Sequence, residues 1–283
     1  MGFFFFAPPL YHGLGLQIIM STFVFQLYRN KMTKKLIIVL ALLIGFHSGA
    51  QEKQPAPFQS FRPMYFIGGV PLEGPVDKST AGFKFQFSTA IPLWGNVFFG
   101  YTQISIWDFF DKSSPFRDNC FAPGLYLSVP MERDKVLFGL EHRSNGRPMR
   151  GTSGDTFSRS TNYVFGEYGA FFPCGLVLKA NLRAGFGWYD EEFTQEVFWR
   201  FQGYADFTTG YLGEKWQAAA TITPVFGPFG VNLEAGVARK IGLCSLFAQF
   251  NYGYGEALTD WARGYRPAPY LRIGVLFGDL LAL

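Results

Sequence analysis

Phe83-Lys84-Phe85-Gln86-Phe87-Ser88 places apolar and polar side chains in strict alternation. A period of two belongs to an extended strand with two unlike faces, because successive side chains point in opposite directions. The same pattern returns at Leu178-Lys179-Ala180-Asn181-Leu182-Arg183. It recurs at Val231-Asn232-Leu233-Glu234-Ala235, continued by Val237, and at Leu271-Arg272-Ile273-Gly274-Val275. Turn residues separate these runs. Twelve segments are expected, near 62–70, 80–92, 95–107, 118–130, 134–144, 158–172, 175–189, 196–210, 213–226, 228–239, 243–257 and 268–281. Most reach the roughly 9–11 tilted residues that cross a bilayer as a strand.

Composition says which solvent the apolar face meets. Aromatic residues make up 19% of the 283 positions, Phe alone numbers 34, and charged residues are only 16%. A soluble domain typically carries about 25% charged residues. Outside the N-terminal region, no run reaches the roughly 18 apolar residues of a spanning helix. An aromatic, glycine-rich, alternating chain without such a helix points to an all-β fold, a transmembrane antiparallel β-barrel of about twelve strands, with lipid outside and a polar lumen. A soluble β-sandwich would hide its apolar face and carry fewer aromatics. Trp94, Trp107, Trp188, Trp199, Trp216 and Trp261 lie mostly near segment ends, where an interfacial girdle belongs.

The N-terminal region reads differently. Residues 32–50 run from Met-Thr-Lys-Lys through apolar Leu36–Phe46 to His-Ser-Gly-Ala, the three parts of a secretory signal, with cleavage most simply after Ala50. Residues 1–31 resemble neither domain nor signal and are expected to be an upstream extension from a misassigned start. Residues 51–61 then form a short mobile mature N-terminus, and 62–283 form the barrel. The formal charge of +4 is scattered, with no nucleic-acid footprint and no nucleic-acid partner expected. Cys120, Cys174 and Cys244 are odd in number and lack metal-ligand spacing.

Within the segment 134–144, His142 and Ser144 are two residues apart and share a strand face with Leu140, Phe138 and Val136. If 134–144 and 158–172 pair as a hairpin, Asn162 comes alongside. A serine, a histidine to take its proton and an amide to orient the histidine form a triad by roles. After cleavage at Ala50, His142 is the only histidine left, since the others are His12 and His47. The chain contains no G-x-S-x-G, H-E-x-x-H, P-loop or EF-hand pattern.

His142-Arg143-Ser144-Asn145-Gly146-Arg147 and Ser158-Arg159-Ser160-Thr161-Asn162 resemble the active-site signature of the bacterial outer-membrane phospholipase A family. The resemblance extends to Tyr101-Thr102-Gln103, to Ser113-Ser114-Pro115-Phe116-Arg117 and to Tyr254 through Asp260, and it covers most of the chain from about residue 83 onward. Members of that family fold as twelve-stranded barrels in the Gram-negative outer membrane and hydrolyse acyl esters of membrane phospholipids. The resemblance implies Ser144 as nucleophile, His142 as general base and Asn162 as the residue that holds the imidazole. It implies an oxyanion site at the backbone amides near Ser144 and Gly146. It also implies calcium as cofactor, held by the Arg147 carbonyl, Ser158 and, from a second subunit of an active homodimer, Ser113. Gln103 matches a subunit-bridging glutamine. The loop from Pro148 to Phe157 is longer than the family pattern and adds Asp155, a further oxygen donor. Two other readings remain open, a catalytically silent porin or structural barrel and an outer-membrane deacylase of lipopolysaccharide.

Overall fold

The computed structural model describes residues 60–78, 80–146, 158–186, 202–226, 230–258 and 268–281. Residues 1–59, with the expected extension, signal and most of the N-terminal tail, lie outside them, as do Arg147, Asp155, Trp188, Trp199 and Trp261.

Among the described residues twelve strands follow one another: β1 (Met64–Pro71), β2 (Gly82–Trp94), β3 (Val97–Trp107), β4 (Phe116–Pro130), β5 (Asp134–Ser144), β6 (Ser160–Phe171), β7 (Leu176–Phe186), β8 (Ala205–Leu212), β9 (Trp216–Pro224), β10 (Val231–Ile241), β11 (Cys244–Tyr252) and β12 (Tyr270–Phe277). Each pairs antiparallel with the next, and β12 returns to β1, so the sheet closes without an edge. Closure leaves no ladder N–H or C=O facing hydrocarbon, where an unpaired group would cost several kcal/mol. The barrel is therefore of the outer-membrane type.

Alternation sorts the faces as the sequence indicates. Arg272 is 2% exposed in the lumen while its neighbour Ile273 is 55% exposed outside, and Leu182 is 63% exposed on β7. Ser88 and Thr102 meet inside at 3.2 Å. Trp94 and Trp216 are exposed beside the short connections 95–96 and 213–215. Longer connections, among them 108–115, lie at the other end, where β1, β3 and β5 finish.

Charged and aromatic side chains occupy the lumen at two levels. Near the long-loop end, Lys84 Nζ donates to Glu256 (2.8 Å) and Gln249 (3.0 Å), and Arg272 clasps both oxygens of Glu256 at 2.9 and 3.1 Å. Burial alone would push the Glu256 carboxyl up, but Arg272 and Lys84 outweigh it and hold it down at about 2. Lower down, Phe61 turns into the barrel against Tyr126, 4.8 Å between rings, and Leu280 and Leu281 are buried where the chain leaves β12. Phe61, the last residue of the expected tail, is thus packed inside the barrel.

Two boundaries differ most from the sequence expectation. The eighth strand is described from Ala205, with its ladder to β7 running from Ala205↔Leu182 to Tyr211↔Leu176, while the expected stretch 196–201 lies outside the described residues. The eleventh ends at Tyr252, not 257: Gly253 takes φ +105°, and an added Cβ there would meet Asn232 Oδ1 at 2.2 Å. Asn232 Oδ1 also accepts the Tyr254 N–H at 2.8 Å and turns the chain out of the ladder.

Leu182 lies near the middle of β7. Leu182→Arg is expected to destabilise the barrel in lipid vesicles by about 2–4 kcal/mol, read from guanidinium unfolding. An unchanged midpoint would mean that this face meets water.

Candidate active site

The site is built on the β5–β6 hairpin, whose register pairs His142 with Asn162 and Ser144 with Ser160. On β5, Phe138 is 42% exposed to the outside and Glu141 is 0% exposed inside, so parity sends His142 and Ser144 outward with Phe138 and Leu140. Ser144 is the last strand residue before the β5–β6 connection, at the long-loop end. Outer-membrane barrels keep their short turns in the periplasm, so the pair stands at the height of the outer leaflet, facing lipid.

His142 Nδ1 lies 2.9 Å from Asn162 Oδ1. An amide oxygen only accepts, so Nδ1 is the donor, and in the neutral ring this leaves the lone pair on Nε2. That tautomer is the one a general base requires. Ser144 shares the face with His142 at the i, i+2 spacing of roughly 6.6 Å between backbones. The neutral amide also suits its surroundings, because a carboxylate facing hydrocarbon would cost far more to desolvate.

Past Ser144 the chain is stapled. Asn145 is buried; its N–H donates to Arg159 O and its Oδ1 accepts the Arg159 N–H, both at 3.0 Å. Gly146 follows at φ +67°, a left-handed turn that glycine adopts freely. An added Cβ would strike the Phe121 ring at 2.8 Å. Phe121 is itself the β4 partner of Ser144.

Ser113 is exposed in the β3–β4 connection at the same end of the barrel. Ser113 and Ser114 both take left-handed backbone, φ 67° and 43°, at a cost on the order of 1 kcal/mol each. The turn is held by Ser114 N–H to Asp111 O (3.0 Å), Ser114 Oγ to Phe109 O (2.8 Å) and Trp107 Nε1 to Ser114 O (3.0 Å). Ser158 is half-buried across the β5–β6 connection, one residue from the Asn145 staple. Among the described residues there is no group of three or more His, Cys, Asp or Glu side chains that could hold a metal. Serine hydroxyls and backbone carbonyls are hard oxygen donors, a set that fits calcium and not a softer ion.

Sequence reading singled out Gln103 but not the chain of bonds it belongs to, and it passed over a second constellation. The first is a polar chain on the outer wall: Tyr101 OH to Gln103 Oε1 (3.0 Å), Gln103 Nε2 to Ser105 Oγ (3.1 Å) and Ser105 Oγ to Asn119 Oδ1 (2.7 Å). Gln103 pairs with Phe121, and Phe121 with Ser144, so this chain lies level with the site. The shared parity of Tyr101, Gln103 and Ser105 was a legible signal. The second is a charged cluster on the inner face of the same hairpin, centred on Glu141. The alternation that turns His142 outward turns Glu141 and Arg143 inward.

Asn145→Ala removes the acceptor for the Arg159 N–H. It is expected to lower stability in detergent by about 1–3 kcal/mol, measured by chemical unfolding, with Asn145→Asp keeping the acceptor and most of the stability.

Residues 52–268 match the family model described as phospholipase A1. A curated protein of Neisseria meningitidis serogroup B, provisionally named a phospholipase A1, is 27% identical over 210 residues, 69% of this chain and 51% of that protein. The chain thus spans about half the length of the curated relative it matches. In fold it is similar to the outer membrane phospholipase A of Escherichia coli, with TM-score 0.66 and 23% identity over 79% of this chain and 95% of that one. The Salmonella typhi outer membrane phospholipase, solved as a dimer with bound calcium, gives TM-score 0.67 and 23% identity over 81% and 95%. With the family model spanning most of the barrel, this chain belongs to the phospholipase A1 family.

Proposed function

We propose that this barrel hydrolyses the acyl esters of glycerophospholipids, with A1, A2 and lysophospholipase character, at a Ser144-His142-Asn162 triad on its lipid-facing wall. The observation that carries the reading is the His142 Nδ1 to Asn162 Oδ1 bond, made outside the barrel at the rim. Polar groups aimed at lipid are costly unless they serve something there. A phospholipid ester lies at that height, next to the glycerol backbone.

In the proposed sequence Ser144 Oγ attacks the ester carbonyl while His142 Nε2 takes its proton. Collapse of the tetrahedral adduct releases the lyso-lipid, protonated by His142, and leaves the acyl group on Ser144. Water, deprotonated by His142, then frees the fatty acid. Asn162 holds the ring throughout and moves no proton. The oxyanion falls to backbone amides around Ser144 and Gly146, since the Asn145 N–H is already engaged by Arg159 O.

Calcium fits the donor set of Ser158, the Arg147 carbonyl and Ser113 from a second barrel, and when bound it supplies positive charge near the developing oxyanion. The hydrogen-bonded chain Tyr101–Gln103–Ser105–Asn119 supports a dimer, because a polar seam facing hydrocarbon gains most by meeting a second copy of itself. One subunit alone lacks the full oxygen shell, so the calcium and dimer requirements are one requirement. Such an enzyme stays silent as a monomer within its own substrate.

Ser144→Ala and His142→Ala should each reduce ester hydrolysis by roughly 10⁴-fold or more, while Asn162→Ala, which only misorients the base, should lose roughly 10²-fold. Release of fatty acid from defined phospholipid micelles measures this, and wild-type turnover by Ser144→Ala rules the triad out. Lipopolysaccharide in the same assay separates a deacylase.

Ser113→Ala and Ser158→Ala should each raise the calcium concentration needed for half-maximal rate, and Gln103→Ala should weaken association in cross-linking without changing the rate per dimer. Full hydrolysis by a monomer in chelator would refute the coupling.

A further inference from the structure

The inner face of the β5–β6 hairpin carries a cluster that the proposed chemistry does not use. Glu141 is fully buried in the lumen and its carboxylate accepts four donors. Oε2 receives Arg62 Nη2 at 2.6 Å and Tyr126 OH at 2.5 Å; Oε1 receives Arg143 Nη2 at 3.1 Å and the Tyr163 hydroxyl. Arg143 Nη2 also donates to Tyr163 OH at 2.9 Å, with its guanidinium 5.3 Å from that ring's centre. A carboxylate offers about four lone-pair sites, so Glu141 is saturated. Gly124, opposite Glu141 on β4, makes room for this: an added Cβ there would meet Tyr126 OH at 2.7 Å.

The placement relative to the outer site gives the cluster its meaning. Glu141↔Tyr163 and His142↔Asn162 are consecutive rungs of one ladder. The first points inward and is cross-linked through a carboxylate; the second points outward and is the histidine–amide pair. Arg143, inside, lies between His142 and Ser144. Any shift of β5 against β6 breaks the inner contacts and separates the outer pair together, because side chains on adjacent rungs ride on the same backbone.

Two of the four donors come from outside the hairpin, Tyr126 from β4 and Arg62 from the segment before β1. Arg62 precedes β1; its N–H donates to Ser88 Oγ at 3.2 Å, and its guanidinium lies 5.1 Å from the centre of the Phe61 ring. Phe61 packs on Tyr126, which itself donates to Glu141. The segment before β1 is thereby bolted to the strand that carries His142 and Ser144.

We infer that Arg62 and Glu141 are positioning residues: an internal brace through which the segment before β1 holds the His142–Asn162 rung in register on the opposite face of the barrel wall. The inference rests on the triad reading above. The brace touches no lipid, so it acts on the geometry of the base and not on substrate binding.

Purified barrels refolded in detergent, with heat-modifiable electrophoretic migration as the check on folding, provide the test. Glu141→Gln and Arg62→Ala are each expected to lower kcat at least about tenfold, as a misplacement on the order of 1 Å does, with KM for micellar phospholipid unchanged. Arg62→Lys, which keeps the charge on the strap, should recover most of the loss. Arg62 lies outside the strand ladder, and without it Glu141 still has Arg143 and two tyrosines, so the Arg62 variants fold even if Glu141→Gln does not. Wild-type kcat in a folded Arg62→Ala barrel, or a rise in KM at constant kcat, overturns the brace. If Ser144→Ala also turned over normally, the serine reading would fall and the inference with it; loss in Ser144→Ala beside full kcat in Arg62→Ala removes the brace alone.

Discussion

A bilayer offers no hydrogen bonds, and every other feature of this molecule follows from that. Twelve strands pair in chain order and close on themselves because an edge in hydrocarbon would be left with a row of unmet N–H and C=O groups. Closure makes the barrel wall one residue thick, with each strand alternating between lipid and lumen. On β5 this puts two kinds of chemistry back to back: His142 and Ser144 on one side, Glu141 and Arg143 on the other.

The two sides treat charge in opposite ways. Outside, the residue beside His142 is a neutral amide, which can face lipid at modest cost. Inside, full charges are kept and matched, as with Lys84, Glu256 and Arg272, and with Arg62, Glu141 and Arg143. Removing the shared carboxylate from such a group leaves buried cations without a counter-charge, a loss of roughly 3–5 kcal/mol. The lumen is accordingly the stiff side of the wall. A rigid inner lattice beneath a small outer constellation is how a site can be held still on a surface that faces a fluid.

Much of this was legible in the residues. Alternation around Phe83–Ser88 and Leu271–Val275 marked strands whose faces the structure reproduces, and the spacing of His142 and Ser144 put them on one face before any pairing was known. Less legible were the ends of strands. The ladder between β7 and β8 begins at Leu182↔Ala205, and β11 stops where Asn232 captures the turn at Gly253–Tyr254. Neither event leaves a local trace, since each depends on a residue far along the chain.

By itself, then, the sequence determined the period, the number of strands, the solvent they face and the parity of each side chain, because these depend only on neighbours along the chain. The tertiary structure alone decided the register that sets His142 opposite Asn162, the capture of Phe61 and Arg62 inside the barrel, and the saturation of Glu141 by donors from the segment before β1 and from β4, β5 and β6. Those contacts join residues up to 79 positions apart, and a period of two says which face a side chain takes but not what it meets there.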